Sequence, residues 1–477
     1  MSDIEAPPQS AADRIGTEPI SRLLLRFSLP AITGMLVNAL YNVVDRIFVG
    51  RWVDETALGG LTLVMPLMVI SMAFSMLFGV GSANMISMRL GQGRKQEAEA
   101  TLNHCVVLLA IIGAVIMCLG LFFTEDILSI MGARSGSQSL EYAKSYFRVI
   151  LFGLIFFQMG FGLSHCTRAQ GFPKITMIGM ILGAVMNIIL DALFIIVFGW
   201  GVEGAAWATI ISQFSSFIWI ISFSLSKKAV VRLRLSTFRP SLQITYEIMG
   251  FGSSSFIMQA SGSFVIILFN NILNRLGPVA LGVSNGGDIA LSGWSIVSTF
   301  TMLIFMPVIG INQGAQPILG YNYGAKKFDR VRKTYILAIL AATCIATFGF
   351  LMVQIFPIQL VRLFVPDGSP ALLSFAPIAL RIHNIMTPLC AFLVMSSNFF
   401  VVTGRPRTSI TLNMLRQVIV LVPCAIIFGN VWGLWGFMAS LPTTEAICIL
   451  ITGVFMFFEM KKLNRQIKEG ASVGVSV

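Results

Sequence analysis

Three acidic residues lie inside long apolar stretches of the sequence, where a charged side chain is expensive. Asp45, Asp191 and Glu445 are each surrounded mainly by aliphatic and aromatic residues. A carboxylate near the centre of a bilayer-spanning helix costs roughly 2.5 to 3.5 kcal/mol, so each of these residues calls for a function or a partner. Asn38, Tyr41 and Asp45 are spaced i, i+3, i+7, which places an amide, a phenol and a carboxyl group on one helix face.

A second polar face occurs in the fifth apolar segment. Asn187 and Asp191 are spaced i, i+4, and Thr209 in the next segment adds a hydroxyl group. Together with Asp45, these side chains suit a site that binds Na⁺ through oxygen atoms or takes up H⁺ on a buried carboxyl group. The sequence leaves both ions open. In the alternative interpretation, Asp45 pairs with Arg46 or is hydrated near the outer interface, and Asp191 is a hydrated helix end. Neighbouring side chains on a helix point about 100° apart, which makes Asp45 and Arg46 a poor pair.

Two other features belong to the same apolar segments. Pro30 precedes Asp45 by fifteen residues and removes a backbone N–H, which predicts a kink or flexible point, or else a position near a helix start. Arg416 in the eleventh segment and Glu445 in the twelfth lie at similar depth. We expect these two residues to form a structural ion pair.

The composition indicates that these segments lie in a membrane. Of the 477 residues, 56% are hydrophobic and 11% are charged, which leaves too little polar surface for a water-soluble protein. The formal net charge of +12 does not indicate a nucleic-acid partner, because the basic residues lie between apolar runs of about twenty residues or more. The seven cysteines contain no CxxC pair and are interpreted as small core residues.

Twelve apolar segments, from 23–50 to 433–459, predict an all-α integral membrane protein with twelve transmembrane helices. Of the 33 Lys and Arg residues, 24 fall in the tails and in alternate loops, so both termini are expected in the cytoplasm and the protein in the cell (inner) membrane. The predicted organisation is a tail at 1–22, an N-lobe at 23–226, a cytoplasmic loop at 227–247, a C-lobe at 248–460 and a tail at 461–477.

The two halves carry an internal repeat. GFPKIT at 171–176 recurs as GRPRTS at 404–409, and GVEGAAWA at 201–208 recurs as GLWGFMAS at 433–440. The turn at 93–96 is matched with 324–327, so the displacements are 233, 232 and 231 residues. Six segments in each half give both halves the same orientation. The repeat therefore predicts two six-helix lobes related by pseudo-twofold symmetry, a plan typical of transporters that rock around a cleft.

Nearly the whole chain resembles the multidrug and toxic compound extrusion (MATE) family. The resemblance rests on SLPAITGMLVNALYNVVDRIFVG at 28–50, RAQGFPK at 168–174 and NIILDALFI at 187–195. In the branch that the chain most resembles, a first-helix proline bends, and this bending is proposed to follow protonation; that proline corresponds to Pro30. The resemblance also implies a cation site in the N-lobe at the matching residues Asp45, Tyr41, Asn187, Asp191 and Thr209.

The chain departs from the family pattern at several positions. Ser164 and His165 stand where the family often has two asparagines, and Ala192 stands where a proline is common. Asn398 keeps the amide at the equivalent place in the second half. The acidic residue that another branch carries in its seventh helix is absent from 253–270, so the C-lobe cation site of that branch is not expected here.

These observations predict a secondary active multidrug efflux transporter that exchanges inward H⁺ or Na⁺ for outward export of amphiphilic, chiefly cationic drugs. We expect a monomer without cofactor or enzymatic activity, and direct use of ATP is not expected because no GxxxxGK[ST] loop occurs. The alternatives are a lipid-linked oligosaccharide flippase of the same superfamily and, from other classes, a membrane enzyme or a channel. The candidate residues for a substrate cleft are Asn38, Tyr41, Ser164, Asn398, Arg416 and Glu445.

Overall fold

The computed structural model describes residues 11–53, 55–130, 138–365 and 369–473. Every regular element in these ranges is helical. Helices predominate because a bilayer offers no water to backbone N–H and C=O groups, which must then bond within their own segment. The side chain of Arg46, the alternative partner considered for Asp45, lies outside the described residues, as do the ends of both tails.

The helices follow the predicted apolar segments. The first half contains α1 (Ala11–Ile15), α2 (Ile20–Trp52), α3 (Glu55–Gly91), α4 (Lys95–Phe122), α5 (Thr124–Ile130), α6 (Gln138–Ala169), α7 (Pro173–Asp191), a π-helix (Ala192–Val197) and α8 (Gly201–Leu225). After a short 3₁₀ helix (Leu235–Thr237), the second half contains α9 (Leu242–Leu281), α10 (Gly286–Gly324), α11 (Phe328–Ile355), α12 (Pro357–Phe364), α13 (Pro370–His383), α14 (Thr387–Val402), α15 (Pro406–Met414), a π-helix (Leu415–Ile419) and α16 (Leu421–Val473).

The predicted twelve-helix membrane fold is confirmed. In the described ranges, ten helical stretches are long and apolar enough to cross a bilayer, and the pair α13 and α14, bent by 47°, meets the same criterion when the two helices are taken together. The last stretch, Pro406–Glu469, has 64 residues, about three times the length that a bilayer core requires. Gly433 has non-helical angles (φ 63°, ψ −148°) and divides this stretch into two spans.

The internal repeat reappears as matching turns. Gly171 and Gly404 both adopt positive φ angles, of 99° and 80°, which a residue without a Cβ adopts freely. Pro173 and Pro406 then begin α7 and α15, where a missing N–H costs nothing. The turn after α10 differs from the sequence match, because Lys326 rather than Gly324 has the left-handed angle.

The chain divides into two compact units. The first contains Met1–Gln259 and Gln316–Lys327, and the second contains Ala260–Ala315 and Phe328–Val477. The helices α9 and α10 therefore each contribute one end to the first unit and the remainder to the second. These units reflect packing, and the lobe boundaries drawn from the sequence remain a prediction.

Within the first unit, α3 packs backbone to backbone against α9. A Cβ on Gly252 of α9 would collide with the carbonyl oxygen of Leu77, and a Cβ on Gly81 of α3 would collide with that of Ile248. The same reciprocal arrangement joins α3 to the end of α10. Small residues permit this close approach, which is how helices in a bilayer gain packing energy without a hydrophobic driving force.

The segment between α8 and α9 is tied to the first unit by hydrogen bonds. Asn103 on α4 donates to the carbonyl oxygen of Arg234 and accepts from its N–H, both at 3.0 Å. The Ser241 N–H donates to Nε2 of His104 at 3.0 Å. The segment is therefore held against α4 at two positions, Arg234 and Ser241.

We expect the segment between α8 and α9 to face the cytoplasm, because basic residues are concentrated there. Ser236 is exposed in this segment, and Ser284 is exposed in the turn between α9 and α10. In intact cells, a membrane-impermeant maleimide should label Ser284→Cys but should label Ser236→Cys only after permeabilisation. Labelling of Ser236→Cys from outside would show that the predicted orientation is wrong.

Candidate functional site

The fifth span brings two unsatisfied polar side chains into the interior of the first unit. Asp191 and Asn187 lie on α7 and are 0% and 1% exposed. Among the described residues, none forms a well-aligned hydrogen bond with either carboxyl oxygen of Asp191 or with either amide atom of Asn187. Buried polar groups are normally paired, because leaving one unpaired costs about 1 to 3 kcal/mol. These four atoms therefore carry hydrogen-bonding capacity that the described residues leave unsatisfied.

The predicted residues of the first span approach this position. Asp45 on α2 lies beside Asp191, close enough for the two carboxyl groups to interact directly. Two carboxylates that lie close together in an apolar interior repel each other, and one bound cation or proton removes that repulsion. The structure thus brings together the two acidic residues that the sequence had placed on separate polar faces.

A residue that the sequence analysis missed completes the cluster. The hydroxyl group of Tyr146 on α6 lies next to Thr209 and close to Asp45, Tyr41 and Asp191. Its side chain is buried. Asp45 and Asp191 were each recognised in the sequence by their helical spacing to other polar residues. Tyr146 reaches the site only through the packing of α6 against its neighbours. We refer to these six residues as the N-unit cluster: Tyr41, Asp45, Tyr146, Asn187, Asp191 and Thr209.

The backbone next to Asp191 departs from regular α-helical geometry. Directly after this residue the chain forms the π-helix Ala192–Val197, and the Phe198 N–H donates to the carbonyl oxygen of Leu193 at 3.0 Å. The Ala192 N–H donates to the carbonyl oxygens of Ile188 and Ile189. A proline at this position would lack that donor, so Ala192 allows the helix to continue past Asp191. Short π-helical turns occur frequently at functional sites.

A cavity of about 100 Å³ adjoins the N-unit cluster. Asn187 and Thr209 form part of its wall, and Asp191 lies one helical turn beyond Asn187. Of the predicted cleft residues, Asn38, Tyr41 and Ser164 line this cavity, although the Ser164 hydroxyl donates to the Gly160 carbonyl oxygen at 2.8 Å. The remaining wall combines the aromatic rings of Phe156, Phe157 and Phe161 with the polar side chains of Ser212, Gln213 and Ser216.

The second unit contains a larger cavity of about 770 Å³. Arg416, within the π-helix Leu415–Ile419, and Glu445 on α16 line it and form the predicted ion pair. Nε and Nη2 of Arg416 donate to Oε1 of Glu445 at 3.0 and 2.8 Å. Asn398 lies on α14 and lines neither of these two cavities.

Comparison with known proteins identifies the family. The MatE family model matches residues 30–193 and 254–426, which is well over half of the chain. The chain belongs to the MatE family. The matched ranges include Pro30 and five of the six members of the N-unit cluster, on α2, α6 and α7, whereas Thr209 and Glu445 lie outside them.

The relatives of this MatE protein extend over almost its full length. It is 26% identical over 443 residues to the multidrug export protein MepA of Staphylococcus saprophyticus, covering 92% of this chain and 94% of that protein. It is 25% identical over 448 residues to MepA of Staphylococcus aureus, covering 94% and 95%. An outward-facing structure of a multidrug resistance MATE family transporter has a TM-score of 0.88 at 25% identity, covering 96% of this chain and 99% of that one.

The predicted kink residue lies within a continuous helix in this MatE chain. Pro30 is buried, and α2 extends on both sides of it from Ile20 to Trp52. It is therefore not a helix start, which was the other interpretation of this proline. Whether it bends during a transport cycle stays a prediction. The described residues contain no group of three or more His, Cys, Asp or Glu side chains that could hold a metal ion.

Proposed function

We propose that this multi-pass MatE protein is a secondary active multidrug efflux transporter of the cell membrane. The observation that carries this proposal is the N-unit cluster, in which Asp45 and Asp191 lie side by side next to unpaired amide atoms of Asn187. Support also comes from the MepA relatives, which are named as multidrug export proteins and match nearly the whole chain.

In the proposed cycle, one H⁺ or Na⁺ enters the N-unit cluster and removes the repulsion between the two carboxyl groups. Carboxyl, amide and hydroxyl oxygens of Asp45, Asn187, Asp191 and Thr209 are the ligand types that a hard cation such as Na⁺ prefers. A proton would instead reside on one carboxyl oxygen of the pair. Release of the ion to the cytoplasm then restores the charged pair, and drug leaves on the opposite side.

The energy available from one ion is sufficient for useful export. One charge moving inward across 100 mV releases roughly 2.3 kcal/mol. Concentrating a neutral drug tenfold requires about 1.4 kcal/mol. A single coupled cation therefore supports more than a tenfold gradient of a neutral drug without ATP. For a drug with one positive charge the exchange is electroneutral, so the concentration gradient of the ion must supply the energy.

We further propose that the substrates are chiefly cationic and amphiphilic small molecules. The described side chains lining the N-unit cavity include no Lys or Arg but several aromatic rings, which attract cations through their π faces. The walls also offer polar groups that fix orientation, as is typical of small-molecule sites.

An ion-jump experiment tests this function. The purified protein in liposomes loaded with ethidium should export dye when either an inward proton gradient or an inward sodium gradient is imposed at a clamped membrane potential. The gradient that drives export identifies the coupling ion. Dye movement that is independent of both gradients, or export of anionic dyes only, would contradict the proposal.

A further inference from the structure

The last helix is longer than the membrane requires. After the break at Gly433, α16 continues to Val473, a length of about 60 Å at 1.5 Å per residue, which is twice the thickness of a bilayer core. Exposed apolar side chains continue as far as Phe457 and Phe458. The next exposed side chain is that of Lys461, about 4.5 Å further along the helix axis. The helix therefore leaves the hydrocarbon region close to Lys461.

One face of this extension is buried. Glu459 forms an ion pair with Arg405, and both Glu459 and Leu463, one turn further, are buried. These two positions fix the rotation of the helix about its own axis. Because successive residues on a helix are about 100° apart, Lys461 and Lys468 lie on the side opposite to Glu459 and Leu463.

The exposed face carries aromatic and basic side chains in a single row. Phe457, Lys461, Arg465 and Lys468 follow one another at intervals of three or four residues, so they share one side of the helix. Arg465 also pairs with Glu469 at 2.7 Å, but both side chains are exposed, and such a pair contributes little. The described wall of the groove along this row consists of Phe457, Met460, Lys461, Asn464, Arg465 and Lys468.

The charges and the position of this row select its partner. Lys461, Arg465 and Lys468 contribute three positive charges, whereas Glu459 lies on the buried face and Glu469 lies beside Arg465. A soluble anion would neutralise the basic side chains but would not contact the apolar end of the row. A phospholipid reaches both parts, because its phosphate group lies at the membrane surface and its acyl chains lie in the hydrocarbon region.

We propose that the row formed by Phe457, Lys461, Arg465 and Lys468 is a binding surface for anionic phospholipids. The phosphate group accepts hydrogen bonds from Lys461 and Arg465, the acyl chains pack against Phe457, and Lys468 adds electrostatic attraction. Basic residues next to the membrane end of a helix attract anionic lipids in this way. In the predicted orientation, the lipid belongs to the cytoplasmic leaflet. The surface is separate from the N-unit cluster and does not depend on the proposed ion coupling.

Native mass spectrometry of the delipidated protein tests the proposal. The protein is incubated with equal concentrations of phosphatidylglycerol and phosphatidylcholine that have the same acyl chains, so the two lipids differ in the headgroup alone. We expect bound phosphatidylglycerol to exceed bound phosphatidylcholine about tenfold, because each basic residue near the surface raises the affinity for an anionic lipid by up to about fivefold.

The triple variant Lys461→Gln, Arg465→Gln and Lys468→Gln should reduce this preference to about onefold. All three side chains are exposed, so the thermal unfolding midpoint should not change. A preference that persists in this variant would overturn the proposal, as would equal binding of the two lipids by the unmodified protein.

The matched control is the triple variant Lys227→Gln, Lys228→Gln and Arg239→Gln. It removes the same number of positive charges from exposed positions in the segment between α8 and α9. This control should keep the tenfold preference. An equal loss of preference in the control would show that net charge determines lipid binding and that the row on α16 does not.

A further arm separates a lipid from a soluble anion. Glycerophosphoglycerol has the headgroup of phosphatidylglycerol but no acyl chains, so it cannot contact Phe457 within the bilayer. At the same concentration as the lipid, it should displace less than about a tenth of the bound phosphatidylglycerol. Displacement of half of the lipid would show that the row binds a soluble phosphate group and would refute a lipid surface.

Discussion

Replacing Asp191 by Asn should abolish gradient-driven export of ethidium. The substitution keeps the shape of the side chain but removes the charge that a coupling ion must neutralise next to Asp45. We expect at least a tenfold fall in export rate, and Asp45→Asn should have the same effect. The measurement is ion-jump-driven dye export in liposomes at equal protein density.

The matched control is Asp126→Asn, which changes an exposed aspartate on α5 and should leave export unchanged. Thermal unfolding should show that Asp191→Asn is at least as stable as the unmodified protein, because a buried charge without a basic partner is replaced by a neutral amide. Full export in both Asp191→Asn and Asp45→Asn would return these residues to a structural role. If a variant is inactive and its thermal unfolding midpoint is also lowered, the loss of export reflects damage to the fold and does not support a role of the carboxyl group in ion coupling.

Replacing Gly252 by Val should also eliminate export, for a reason of packing. The added Cβ would collide with the carbonyl oxygen of Leu77 on α3, and a backbone atom cannot rotate away as a side chain can. Overpacking of this kind typically lowers the free energy of unfolding by about 1 to 3 kcal/mol. The thermal unfolding midpoint should fall, and ethidium export should fall with it.

Gly250 provides the control on the same helix. A Cβ at this position meets no atom within 4 Å, so Gly250→Val should change neither the thermal unfolding midpoint nor ethidium export. The two variants add the same side chain to α9 only two residues apart. Equal behaviour of Gly252→Val and Gly250→Val would show that the contact between α3 and α9 is not required.

The sequence predicted the helices and part of the site because these follow from local patterns. The length of an apolar run predicts a membrane span, and the spacing of Asn187 and Asp191 predicts that both side chains lie on one face of a helix. The Gly171 and Gly404 turns were also recognisable, since each combines a residue suited to positive φ with a proline that starts the next helix. These features require no knowledge of which helices are neighbours.

Other features depend on tertiary packing or on irregular backbone. Tyr146 joins the N-unit cluster from α6 through contacts with other helices, which spacing along the sequence does not indicate. The sequence also placed a single segment where α13 and α14 form a bent pair, because an apolar run does not reveal a break. Ser369, whose side chain accepts a hydrogen bond from the Leu372 N–H at 3.3 Å, marks the start of α13 ahead of that run.

The π-helix after Asp191 also marks a position where the chain contains one residue more than an α-helical turn would. Its hydrogen bonds run from residue i to i+5, one residue further than in an α-helix. Loss of one residue from Ala192–Val197 would return this turn to α-helix and leave the helix faces on either side in place. The same loss within α7 would rotate the following residues by about 100°. Single-residue gaps between related sequences should therefore concentrate here and at Leu415–Ile419, where the Val420 N–H donates to the Leu415 carbonyl oxygen at 2.9 Å.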